Sequence, residues 1–117
     1  MSNDIAKTSE IAGFVGACLV DSDTGLMLTS QGGGKFDLEN AAALASEVMA
    51  AQHRSAAGLG QDDAVEEMLI TLATQLHILR PLDQAPNVFL YVILDRTKSN
   101  LGMARLQVRQ VAASLSL

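Results

Sequence analysis

The sequence predicts an α+β domain: a five-stranded, mostly antiparallel sheet with helices on both faces, in the order αββαβββα. Three observations carry this. Residues 88–94, Val-Phe-Leu-Tyr-Val-Ile-Leu, are apolar on both alternating sides, which places them mid-sheet with both faces covered. Asp21-Ser22-Asp23-Thr24-Gly25 separates two apolar runs and supplies hairpin turn chemistry. The apolar period is helical over residues 38–57 and changes to two from residue 64. A chain of 117 residues holds one such domain, spanning residues 1–117.

The elements follow in order. The first dozen residues read as a short helix, with Ser2, Asn3 or Asp4 as N-cap and Ile5, Thr8 and Ala12 on one face. Gly13 opens a strand over residues 14–20, and residues 26–30 return as its hairpin partner. Gln31-Gly32-Gly33-Gly34-Lys35 has few side chains to pack and is expected to be a mobile connection. Asp37 caps a long helix over residues 38–57, which Gly58 and Gly60 end. Leu38, Ala41, Ala42, Leu44, Ala45, Val48, Met49 and Ala51 make the wide face expected to dock on the sheet. Residues 64–73 alternate as a third strand and residues 76–80 as a fourth, until Pro81. Pro81 and Pro86 bracket a loop, residues 88–94 form the fifth strand, and residues 101–115 close as an amphipathic helix. Its stripe is Leu101, Ala104, Val108, Val111 and Leu115.

Composition removes several functions. Thirteen acidic against eight basic residues leave a net charge of −5, and aromatics are 3 %, so neither a basic surface nor base-stacking platforms for nucleic acid are expected. The longest apolar run is far too short for membrane insertion. A lone Cys18 and no signal-peptide pattern make the cytoplasm the expected compartment. Hydrophobic residues at 49 % are rich for a short chain and point to surface hidden by association.

No motif supports catalysis or a bound cofactor. Gly32-Gly33-Gly34-Lys35 lacks the glycine five positions before the Gly-Lys pair, where Thr29 stands, and the Ser or Thr after it, where Phe36 stands, so it is no phosphate loop. Asp21 and Asp23 are turn residues rather than a phosphotransferase pair, and Gly25 stands where a calcium loop needs an oxygen ligand. His53 and His77 have no metal-ligand neighbours in sequence, and Cys18 sits in an apolar strand where its thiol is inert.

Two surface patterns point to partners. Ala43, Ala50 and Ala57 recur every seven residues on the side of the helix that carries Glu47 and Arg54. Small residues at that spacing suit either a close helix–helix seam between two copies or an exposed surface of good helix formers; the overall apolarity favours the seam. Residues 1–79 hold eleven acids and three bases, whereas residues 80–117 hold five bases and two acids. Arg96, Lys98, Arg105 and Arg109 could face an acidic partner, with a solvated face as the simpler reading.

The opening strand Gly13-Phe14-Val15-Gly16-Ala17-Cys18-Leu19-Val20-Asp21 with its Asp23-Thr24-Gly25-Leu26 turn resembles the roadblock/dynein light chain family. So do the alanine-rich helix and the strand ending in Asp95, and profilin and longin domains share much of the layout. The resemblance implies a symmetric homodimer whose third strands pair, bringing Met68 and Ile70 to the interface, while the central helices pack antiparallel. It also implies a prokaryotic, non-catalytic regulator of a small Ras-like GTPase, acting as activator or scaffold. A structural adaptor and a small-ligand sensor are the competing functions.

Overall fold

The computed structural model describes residues 4–60 and 63–116. Five strands, β1 (Phe14–Asp21), β2 (Met27–Gly32), β3 (Met68–Thr71), β4 (Gln75–Pro81) and β5 (Val88–Asp95), form one sheet in the order β2-β1-β5-β4-β3. Every neighbouring pair is antiparallel. The helices are α1 (Leu38–Gly58) and α2 (Leu101–Ser114), and short 3₁₀ turns cover Ala6–Glu10 and Arg96–Lys98.

The central position of β5 follows from its composition. Val88, Leu90, Val92 and Leu94 point into a core beneath α2 and the first 3₁₀ turn, while Phe89, Tyr91 and Ile93 point into a second core beneath α1. β1 divides likewise, with Ala17 and Leu19 on the α2 side and Cys18 and Val20 on the α1 side. Burying apolar groups on both faces is the dominant favourable contribution to such a fold, at roughly 25 cal/mol per Å².

The helix starts are set by side-chain caps. Asp37 accepts from the Asn40 amide at 3.1 Å, as expected, and Asn100 accepts from the Met103 amide at 3.0 Å. The aspartate-rich segment is a turn. Asp21 accepts from the Asp23 amide at 2.9 Å, the Gly25 amide donates to the Asp21 carbonyl at 2.8 Å, and Gly25 takes a φ of +77°.

Several expectations are corrected. The first helix is only a 3₁₀ turn, and Ile11 is buried in place of Ala12, which is exposed; Ser2 and Asn3 lie outside the described residues. The cap position of this turn is Ile5, which has no side-chain cap, and Asp4 just before it accepts from the Ala6 amide at 2.9 Å.

The glycine segment is packed rather than loose. Gln31 and Gly32 belong to β2, and the Gly33 amide donates to the Val15 carbonyl at 2.9 Å. Gly33 has a φ of +96°, and a Cβ there would lie 2.7 Å from Leu38 Cδ1. It also sits so close to β1 that a Cβ on Gly16 would be 3.0 Å from Gly33 Cα.

β3 is four residues long, not ten, and residues 64–67 lie outside it. The α1 face is narrower than expected: Leu38, Ala42, Ala45, Ser46 and Met49 are buried, but Leu44, Val48 and Ala51 are exposed. On α2, Leu101 is exposed and Ala112 is buried instead.

Candidate interaction surfaces

The narrow α1 face has a direct geometric cause. α1 lies closest to β1 and β2, and its cover reaches Leu79 of β4 but leaves the β3 edge open on that side. The outcome is an apolar groove of about 420 Å³ between α1 and the open edge of the sheet. Leu44 and Val48 form its helix wall, at 55 % and 42 % exposed, and Ile70, Leu72, Leu79 and Tyr91 line its sheet side. Side chains on β3 alternate, so Met68 and Ile70 turn toward this groove while Glu67 and Leu69 turn toward α2.

His77 sits at the groove floor, paired across β3 and β4 with Ile70. Its Nε2 lies 2.9 Å from Gln75 Oε1 and its Nδ1 lies 2.8 Å from the Tyr91 hydroxyl. Gln75 Oε1 can only accept, so the arrangement selects the tautomer with hydrogen on Nε2, and the Tyr91 hydroxyl donates to Nδ1. The two rings meet edge to face with centroids 5.4 Å apart. Burial lowers the His77 pKa from its ordinary value, and burial pushes Tyr91 up to about 12, with Cys18 adding to it. Burial likewise pushes the Cys18 thiol up to about 12, so it is neutral and unreactive.

The alanine stripe lies on the other flank of α1. Ala43, Glu47, Arg54 and Ala57 are exposed and Ala50 is half-buried. Ala43, Glu47, Ala50 and Arg54 share a shallow, open concavity with Ser22, Asp23, Thr24 and Gly25 of the β1–β2 turn. The structure therefore gathers Ile70 with Leu44 and Val48, packs Met68 against the core on the same face, and sets the stripe apart from them. His53, on the same helix, has a buried Nε2 with no hydrogen-bond partner among the described residues.

The four basic residues do not form one free face. Arg105 Nε donates to Glu67 Oε2 at 2.6 Å, and Arg96 donates to the Leu72 carbonyl at 3.3 Å. Lys98 and Arg109 are exposed. Glu67 also takes Arg80 Nη1 at 3.4 Å, so two arginines from different elements meet on one nearly buried carboxylate. Sequence reasoning missed this cluster. Its signal was an arginine inside an apolar strand, where a buried cation requires a partner.

No family model matches the chain and no curated protein matches it. Solved structures do. Myxococcus xanthus MglB superposes with a TM-score of 0.79 at 22 % identity, over 91 % of this chain and 77 % of that one. A roadblock/LC7 domain from Streptomyces avermitilis superposes with a TM-score of 0.78 at 18 % identity, over 92 % and 86 %. An MglB solved in a tetrameric arrangement gives 0.77 at 21 %, over 93 % and 79 %. The chain has the roadblock/LC7 fold, and the α+β architecture expected from the sequence is the architecture found. Among the described residues, no helix is long and apolar enough to cross a membrane.

Proposed function

We propose that this chain is a homodimeric, non-catalytic regulator of a small Ras-like GTPase in the cytoplasm, serving as an activator or as a platform for the switch regions. The observation that carries the reading is the uncovered apolar groove beside an open strand edge, on a roadblock fold whose structural neighbours include MglB. A chain that leaves Leu44, Val48, Ile70 and Leu72 in contact with water gains by burying them against a second copy. One neighbour is itself a self-assembled form, the tetrameric MglB.

In this reading β3 pairs with its twin through Met68 and Ile70, and the α1 helices approach across the two-fold axis. Ala43, Glu47, Ala50, Arg54 and Ala57 are the proposed helix contacts, with Leu44 and Val48 added by the groove. Arg96, Lys98, Arg105 and Arg109 are the proposed contacts to the GTPase. The partner brings its own nucleotide and Mg²⁺, and the regulator acts by binding one of its conformations better than the other.

The test mixes the purified chain with the small GTPases of its own genome and follows complex formation and nucleotide turnover together, with mass measured by light scattering at micromolar concentration. A dimer that binds one of them supports the reading. A monomer refutes the dimer, and a dimer that binds none of them refutes the GTPase assignment.

A further inference from the structure

We propose that the cleft between α2 and the start of β3 is a receptor for an acidic, leucine-bearing segment of a partner protein, with Arg80 and Arg109 as its carboxylate-binding groups. The cleft lies on the α2 face of the sheet, opposite the α1 groove.

The argument begins with charge compensation. The Arg80 side chain is 11 % exposed, and its two partners are both distant: Nη1 is 3.4 Å from Glu67 and Nη2 is 3.4 Å from Glu66. Charge-assisted N–H···O bonds normally close to about 2.7–2.9 Å. Glu67 is held instead by Arg105 at 2.6 Å. Glu66 is 80 % exposed and contributes little to a buried cation. A guanidinium carries five N–H donors, and Arg80 uses two of them on these long contacts.

Arg109 adds a second guanidinium. It stands one helical turn after Arg105, and with Arg80 it lines both the cleft, about 420 Å³, and an adjoining cavity of about 150 Å³ under the β4–β5 loop. No hydrogen bond or ion pair engages it among the described residues. Three arginines thus line one cleft in which only Arg105 closes on the nearly buried Glu67 carboxylate, with Glu66 also lining the cleft and Asp83 the smaller cavity.

The occupant follows from what surrounds the charges. Leu69 lines the same cleft at 42 % exposed and offers an apolar seat next to the guanidiniums. The whole chain carries −5, yet five of its eight bases fall after residue 79, so an acidic segment is repelled elsewhere and drawn here. Glu66 occupies the place of the incoming carboxylate without closing on Arg80, and an arriving acid displaces it into solvent.

The probe is a fluorescein-labelled dodecapeptide alternating glutamate with leucine, read by anisotropy against the full-length chain. A peptide with glutamine in place of glutamate is the control. We expect saturable binding that the control loses by roughly tenfold or more, as the loss of charge-assisted contacts requires. Arg109→Gln is expected to weaken it and Glu66→Gln to strengthen it, each by about threefold to tenfold. Both residues are exposed, so circular dichroism should report intact folding, and Arg54→Gln on the other sheet face should change nothing. Absence of saturation, equal binding of the control peptide, or indifference to both cleft substitutions would overturn the proposal. Inorganic phosphate binding the cleft while the peptide does not would assign it to phosphate instead and overturn it equally.

Discussion

His77 shows how a single residue can couple this fold to pH. Its neutral ring is used on both nitrogens, as donor to Gln75 and acceptor from Tyr91. Protonation would place a hydrogen on Nδ1, where the Tyr91 hydroxyl now donates, in a half-buried site that already disfavours the charge. The folded pKa lies below the unfolded 6.5, so between the two values the unfolded chain binds more protons. Stability is therefore full above pH 6.5 and falls as pH drops toward the folded pKa. Urea midpoints measured between pH 7.5 and 5.5 should decline for the parent, and the decline should be smaller in His77→Gln. Asp95 belongs to a separate window, since the Thr97 hydroxyl and amide lower its pKa below 3.8 and its contribution is lost only under more acid conditions. A second residue-scale contrast compares two neighbouring glycines with positive φ. Gly33→Ala would add a Cβ 2.7 Å from Leu38, whereas Gly34→Ala meets nothing within 4 Å. Backbone strain alone costs about 1–2 kcal/mol and overpacking adds about 1–3 kcal/mol, so thermal unfolding should show Gly33→Ala clearly the worse of the two.

Among the elements, α1 and β3 hold the assembly question. The two flanks of α1 differ: Leu44 and Val48 face the open sheet edge, while Ala43, Ala50 and Ala57 face the β1–β2 turn or solvent. In the proposed dimer, Val48→Glu and Ala50→Glu should each raise the dissociation constant by tenfold or more, about 1.4 kcal/mol, because a charge in a close seam is poorly solvated. Sedimentation of both variants separates the flanks. If Ala50→Glu has no effect while Val48→Glu does, the seam runs along the groove and the alanine stripe faces solvent. β3 depends on a tether from outside the strand. Glu67, immediately before it, is gripped by Arg105 of α2 and Arg80 of β4. Glu67→Ala would remove the carboxylate that Arg105 closes on at 2.6 Å and that Arg80 approaches at 3.4 Å, releasing the link from α2 to the start of β3. Amide exchange should accelerate first in residues 68–71, and retention of the parent's protection there would refute the tether.

For the whole molecule, the absence of a phosphate loop makes a sharp prediction. The isolated chain should show no GTP hydrolysis above buffer, and turnover by pure protein that survives repeated chromatography would overturn the non-catalytic reading. Gly32 and Gly33 serve the backbone instead, fitting the end of β2 against β1 and Leu38.

Much of this architecture was legible in the sequence because its signals are local. Alternation on both faces of residues 88–94 located the central strand, the Asp37 cap located the start of α1, and the aspartate-glycine turn located the hairpin. Each depends on neighbours within a few residues, which the order of amino acids states directly. The misread features depend on residues far apart in the chain. Leu44 and Val48 carry the helical apolar period, yet whether that face is buried depends on α1 lying over β1 and β2 rather than over β3. Residues 64–67 alternate like a strand, yet Glu67 is drawn out to Arg105, 38 positions away. The sequence by itself determined the fold class, the element order and the lack of a catalytic motif. Only the tertiary structure decided which apolar side chains remain in water and which arginines converge, because burial and charge pairing are properties of packing between distant segments.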